Sequence, residues 1–402
     1  MTQGLSDDRR LMSPRVAGFL VAEAVSAIGS WATIVAIWGY ATYKYDAAAG
    51  DVALFGIAFS LPAVLLGPLA GLVVDKVGPK STLALAKVIG IVASMALLGA
   101  NDFTSLALIS GFHGAASALS HPALQSMPPR LVGDESLART NALVSLTDEF
   151  AIVLGPAAAG IAIAAFGFRG AFVFDAATYA LGLAVLPIVR LRPLSETDEP
   201  HLPQALRDVL EGWQLIAGSG TLRRVVTCTF VVHLLYGTAL LAEPLYVRDV
   251  LGRSESVFAA LQTAFGVFLV AGGLVVARLG ERLARFGWVA LGVAGSGITS
   301  IVYLGTPYVV VAFIGVGLWG LFTAAISGPS RTLLQRSSSE RVHGRVMAAD
   351  LVAGSGAELI GIASAGVLIG VFGVRWSILG LGAAVTLVAV LVELADRRER
   401  AS

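Results

Sequence analysis

Apolar stretches of about the length that crosses a bilayer recur along nearly the whole of this chain, and no other feature restricts its fold as tightly. A membrane-spanning helix needs about 20 apolar residues. Twelve such runs lie at residues 16–43, 52–74, 80–100, 103–126, 139–165, 169–190, 224–248, 255–278, 285–304, 307–334, 345–371 and 375–395, separated by charged or Gly/Pro breaks. With 56% hydrophobic and 14% charged residues over 402 positions, the chain has more apolar surface than a soluble core of that size buries. The expected fold class is an all-α membrane protein with twelve transmembrane helices. The first run is too long for a signal-peptide core and is interrupted by Glu23, so it is expected to be retained, although Val25-Ser26-Ala27 loosely resembles a cleavage site.

Basic residues give the orientation. Twenty-three of the 28 Lys and Arg fall on one side of these spans, leaving Lys44, Arg169, Arg248, Arg253 and Arg375 on the other. The side rich in Lys and Arg is cytoplasmic, which places both termini there. Tyr40, Tyr43, Tyr45, Tyr246, Tyr303, Tyr308 and Trp376 cluster near the outer ends and Trp288 sits at an inner one, as expected of interfacial anchors.

The chain also repeats itself. GLVVDKVGPK from Gly71 returns as GLVVARLGER from Gly273, and Ser120-x-Pro122 returns as Ser327-x-Pro329. Ala138-Arg139 matches Gly344-Arg345, and Phe166-Gly167-Phe168-Arg169 matches Phe372-Gly373-Val374-Arg375, all at offsets of 202 to 207 residues. Two six-helix, pseudo-symmetric halves of the same orientation are therefore expected, at 1–190 and 224–402. The segment 191–223 between them is a cytoplasmic linker. Its Leu206, Val209, Leu210 and Trp213 fall at helical spacing opposite Arg207, Asp208 and Glu211. That pattern predicts an amphipathic helix lying on the inner leaflet or packed on the protein's own cytoplasmic face.

The stretch Gly71 to Leu83 joins two spans through a very short connection. Gly78 tolerates positive φ and Pro79 presets the first turn of the following helix, so the chain reverses tightly. The pattern resembles the signature loop of the major facilitator superfamily, G-x-L-a-D-r-x-G-r-k-x-x-l, with Gly71, Asp75, Lys76, Gly78, Lys80 and Leu83 on it, Val73 in place of the Leu and Pro79 in place of a basic residue. That superfamily is itself a known instance of parallel repeats, with substrate bound near mid-membrane between the halves. The resemblance implies a gating role for Asp75, engaging the positive dipole end of the eleventh span near Arg341 or Arg345. The second repeat has Ala277 in its place, so the acid is used once.

Gly155-Pro156 and Gly160 in the fifth span resemble the antiporter motif g-x-x-x-G-P-x-x-G-G of exporters in the superfamily, with Ala159 replacing one Gly. Pro156 lacks a donor, and the small residues around it let another helix approach closely. In the fourth span the R-x-x-q-G pattern of drug/proton antiporters is matched by His113 and Gly114, but Ser110 stands where the Arg belongs. The closest resemblance is to the macrolide-exporter and siderophore-exporter branch.

Acids inside spans are costly to insert and are the candidates for proton coupling and substrate binding. Glu23 lies eight residues past Arg15, about 12 Å deep at a rise of about 1.5 Å per residue. Asp148 and Glu149 lie at similar depth in the fifth span and cannot both face one way. Glu358 lies deeper in the eleventh. Asp175 and Glu243 near the outer ends, and Asp350 near the inner, read as solvated. His233 is a candidate for a proton path or for a helix-to-helix hydrogen bond, and Lys87 is expected to snorkel inward.

The single cysteine, Cys228, excludes an intramolecular disulfide and a cysteine-based metal cluster, and no H-E-x-x-H or G-x-S-x-G occurs. An enzyme, a cofactor and a metal are not expected, and a net charge of +1 gives no patch for nucleic acid. The repeat and both motifs argue against a non-transporting receptor or channel. The combined expectation is a secondary active transporter of a prokaryotic plasma (inner) membrane, exporting hydrophobic or amphipathic, drug-like molecules by proton antiport with alternating access. A dedicated exporter of one metabolite, siderophore or lysolipid keeps the same fold. The partners are a small-molecule substrate, protons and the lipid bilayer, and the expected state is a monomer.

The topology is directly testable. In a Cys228→Ser background, cysteines placed at Ser195 and Ser337 should react with an impermeant thiol reagent only from the cytoplasmic side, and one at Ala48 only from outside. Labelling of position 195 from outside overturns the orientation.

Overall fold

The computed structural model describes residues 13–132, 134–192, 202–279, 285–339 and 342–401. Among these the chain is helical: α1 (Pro14–Lys44), α2 (Ala49–Val77), α3 (Pro79–Leu97), α4 (Phe103–Gln125), a single turn α5 (Pro128–Leu131), α6 (Asp134–Val185), α7 (Leu202–Gly218), α8 (Gly220–Leu245), α9 (Glu255–Leu279), α10 (Phe286–Leu304), α11 (Val309–Arg336) and α12 (His343–Ala401). Burying every amide hydrogen bond inside its own segment is what hydrocarbon demands of a spanning chain.

Eight of the described helices are long and apolar enough to cross a membrane. Two of the eight are double. At 52 and 59 residues, α6 and α12 are each broken at one glycine, Gly167 with φ 68° and Gly373 with φ 75°. An L-residue with a side chain is strained there. These glycines are the matched positions of the Phe-Gly-x-Arg repeat, so one sequence echo has become one structural echo. Counting both halves of α6 and α12, and adding α2 and α4, gives the twelve spans expected from the apolar runs.

Local chemistry sets the turns. Gly78 has φ 84° and is followed by Pro79 at the start of α3, as the turn between the second and third spans required. Asp102 caps α4 by accepting from the Ser105 backbone N–H at 2.8 Å, within a reciprocal capping box.

By its contacts the chain forms two compact units. One comprises Met1–Ile34, Ala58–Ala158 and Phe166–His201; the other comprises Val35–Ile57, Ala159–Ala165 and Leu202–Ser402. In the first, Phe19, Leu20, Leu83, Met127, Val144 and Leu186 form a buried apolar cluster, and α3 lies along α4. In the second, α8 lies along α12, α10 against α11 and α12, and α9 against α11. This unit also takes in the outer ends of α1 and α2, where the edge of Trp38 meets Phe55 with centroids 5.3 Å apart. There Arg248 donates to the carbonyls of Thr42 at 2.9 Å and Ala47 at 3.3 Å, and pairs with Asp46 at 2.9 Å.

Several sequence expectations change. The amphipathic segment is indeed helical, and α7 packs on α12: a β-carbon at Gly212 would collide with the Arg345 carbonyl, and Ile216 is buried. Arg345 pairs with Asp208 at 3.1 Å and Glu211 at 2.6 Å. Of the two placements, the protein's own surface is therefore the one α7 uses, although Leu210 is left 63% exposed. Tyr40, Tyr246 and Tyr303 are buried inside the helices they belong with and are not interfacial anchors, whereas Tyr308 and Trp376 are exposed. Arg341 and the Ser195–Pro200 stretch lie outside the described residues.

Because the α7 contact depends on the absence of a side chain, Gly212→Leu should free the helix. Amide hydrogen exchange over 202–218 should then rise about tenfold or more, while Leu210→Ser leaves it unchanged. Equal protection in Gly212→Leu and the unaltered protein rules the contact out.

Candidate functional site

Four helices of the first unit bring polar side chains to one buried place. Glu23 on α1 and Lys87 on α3 form an ion pair of 2.7 Å with side-chain exposures of 3% and 4%. The Lys87 ammonium also donates to the Ser26 hydroxyl at 2.9 Å and sits 5.4 Å from the centre of the Tyr179 ring. Lys87 therefore does not snorkel; an acid one helix away is closer than water. Glu23, a candidate by its depth, is held by that cation.

A second pair adjoins the first. His113 on α4 and Asp175 on α6 are fully buried, with Nε2 and Oδ2 2.8 Å apart. The Ser94 hydroxyl of α3 donates to the same Oδ2 at 2.7 Å. Tyr179, one turn beyond Asp175, stands between the pairs: its ring lies edge-on to His113 at 6.0 Å and under Lys87, and its hydroxyl reaches Ser30 and Ser117. Asp175 is thus no solvated outer-end acid. An ion removed from water costs several kcal/mol even after relaxation, so a buried Glu–Lys pair with a second buried carboxylate beside it is a poor way to gain stability.

Three atoms of this network, Glu23 Oε1, His113 Nδ1 and Asp175 Oδ1, are buried with no hydrogen-bond partner among the described residues. Chemically the arrangement can hold and pass protons: each pair has an acid and a base in contact and a further acid or base atom unspent.

The second unit carries His233, Glu243, Asp350 and Glu358. His233 on α8 hydrogen-bonds through Nδ1 to the Thr229 carbonyl at 2.7 Å, one turn back along its own helix. That leaves Nε2 for other chemistry, and Glu358 on α12 lies within electrostatic reach of the ring. Thr229 also donates to Asp350 at 3.0 Å. Glu243 is buried, with Gln262 as its hydrogen-bond partner, and is not at a solvated end. Asp148 and Glu149 belong to α6, and their side chains lie outside the described ones, as does that of Asp75.

The motif residues show how small size and charge are used. Gly155 faces Trp31 of α1, and Gly160 faces Ala259 and Thr263 of α9, each so closely that a β-carbon would collide. Pro156 is buried inside α6. Lys80 donates to the carbonyls of Val189 at 2.7 Å and Pro187 at 3.4 Å, at the end of the sixth span, while Lys76 is exposed. The backbone of Gly71 lies within α2.

Lys87, Ser94, His113, Asp175 and Tyr179 were not among the coupling candidates. The signal was present: a Lys and a His in the interior of apolar spans each need a partner on another helix, and acids at comparable depth were available.

Comparison with known proteins agrees with this architecture. The family model described as Major Facilitator Superfamily matches residues 19–227 and 225–402. Among relatives, an uncharacterized MFS-type transporter YfiS of Bacillus subtilis is 22% identical over 92% of this chain and 91% of its own. The multidrug efflux pump Tap of Mycolicibacterium fortuitum is 22% identical over 94% and 95%. The enterobactin exporter EntS of Shigella boydii is 25% identical over 67% of each. Among solved structures, a bacterial homolog of the human lysosomal transporter Spinster superposes with a TM-score of 0.75 at 16% identity, over 96% of this chain and 98% of that one.

The ion pair makes a sharp prediction about stability. Lys87→Met leaves Glu23 buried without its cation and should cost about 3–5 kcal/mol, seen as a lower unfolding midpoint in detergent. Adding Glu23→Gln to Lys87→Met should recover most of that loss. A double variant no more stable than the single one means the two charges are not coupled.

Proposed function

The chain belongs to the major facilitator superfamily and is a multi-pass transporter of small molecules in the plasma (inner) membrane, and from that premise we propose that it exports hydrophobic or amphipathic, drug-like compounds by proton antiport with alternating access. The observation that carries the proton part is the buried network of the first unit, Glu23–Lys87 beside His113–Asp175. In this reading a proton taken up by Asp175 or Glu23 cancels one charge of its pair and releases the partner helix, and loss of the proton restores the pair. Asp148, Glu149, Glu358 and His233 are further coupling and substrate candidates. Gly71, Asp75, Lys76, Gly78 and Lys80 take the gating role, and Gly155, Pro156 and Gly160 the antiporter packing. The working unit is a monomer of two halves, 1–190 and 224–402, joined by 191–223.

Export is supported by the company the chain keeps: one relative is a multidrug efflux pump and another an enterobactin exporter. The second of these favours a dedicated exporter of one siderophore or metabolite as the other reading. Drug and metabolite accumulation in a hypersensitive host, with and without the gene, separates a broad pump from a dedicated one.

With an exported compound in hand, everted vesicles test the coupling. Asp175→Asn and Glu23→Gln should each abolish substrate-induced proton release and pH-driven export, yet permit exchange of substrate for substrate. Full pH-driven export in both variants removes this network from the mechanism.

A further inference from the structure

The second unit contains a run of aromatic rings ending on a buried acid, and the proton pathway uses none of it. Trp319 of α11 is its centre, with ring centroids at 6.0 Å from Tyr236 of α8, 6.0 Å from Phe265 of α9 and 5.9 Å from Tyr303 of α10. Tyr303 continues to Tyr246 at 5.7 Å and lies within electrostatic reach of Glu243. Four helices thus contribute flat, electron-rich faces around one spot.

The polar groups there are incompletely used. The Trp319 indole N–H and the Tyr303 hydroxyl are buried, and neither has a hydrogen-bond partner among the described residues. Two donors left unmade in a bundle interior are costly, and native interiors rarely keep them without a use. Glu243 has a neutral partner in Gln262, and among the described residues no Lys or Arg pairs with it. Aromatic faces, an acid lacking a counter-ion and two unspent donors together match one ligand chemistry: a positive charge for the carboxylate, rings for the faces and an oxygen or nitrogen acceptor for the two donors.

We propose that Glu243, Gln262, Tyr303, Trp319, Tyr236 and Phe265 form a recognition site for a ring-bearing organic monocation that also carries a hydrogen-bond acceptor. Glu243 holds the cation, the rings of Trp319 and Tyr236 hold its flat body, and the Trp319 N–H and Tyr303 O–H fix its orientation. The site rests on the export reading in that its occupant is the cargo. It adds a charge requirement that the network of Glu23 and Asp175 does not supply.

The test is equilibrium binding of rhodamine 6G, a cationic dye with an ester carbonyl, to the purified full-length protein in detergent, read by fluorescence polarisation. Saturable binding is expected. Glu243→Gln should weaken it about tenfold or more, and Tyr303→Phe and Trp319→Phe, which keep an aromatic ring and delete the donor, about three- to tenfold. Leu210→Ser, on the exposed side of α7, should leave it unchanged. Absence of saturable binding by the unaltered protein overturns the proposal. So does unchanged affinity in Glu243→Gln that elutes as a folded protein, and if that variant does not fold, unchanged affinity in both Trp319→Phe and Tyr303→Phe does the same. The two readings fail separately. Loss of the cation site leaves proton release by another exported compound intact, whereas failure of proton antiport removes that release while rhodamine 6G still binds.

Discussion

A carboxylate and an ammonium 2.7 Å apart in the interior of the first unit fix how its helices lie. Neither ion has water to fall back on, so α1 and α3 have to meet at that height and in that rotation. Once they do, Ser26 and the Tyr179 ring complete the cation's surroundings, which brings α6 alongside. Asp175 on the same helix, one turn before Tyr179, then sets the place of His113 on α4 and Ser94 on α3. Apolar packing alone would tolerate many rotations of these helices, since one lipid-like face is much like another. The polar contacts select one.

The spans, their number and the internal repeat were legible in the sequence because each rests on a coarse property: apolar length, basic-residue asymmetry, or a recurring string. Gly78, Gly167 and Gly373 were legible too, since a glycine in a short break between spans has few other uses. The site was only half legible. Depth along a helix identified Glu23, but depth says nothing of rotation, and it is rotation that turned Lys87 toward Glu23 and away from the cytoplasm. Asp175 and Glu243 were misjudged for a related reason. Nearness to the end of a span was equated with contact with water, whereas both side chains are buried.

The two units put the same architecture to different ends. The first buries an ion pair, Glu23 with Lys87, and beside it an imidazole in contact with a carboxylate, each pair made between different helices. The second buries a carboxylate beside an amide and a set of rings, with Arg248 spent on the Thr42 and Ala47 carbonyls and on Asp46 and Asp249. Duplication of a six-helix element accounts for the common frame, including the matched glycine breaks. The polar residues do not follow the repeat, just as Asp75 has Ala277 as its counterpart.

Lys80 gives the first unit a mechanical property. By gripping the carbonyls of Val189 and Pro187, it fastens the start of α3 to the far end of the sixth span, more than a hundred residues later. The turn at Gly78 and the tail of the sixth span are thereby the two ends of a single lever. A pull transmitted through residues 190–192 arrives at the signature turn without passing through the bilayer interior.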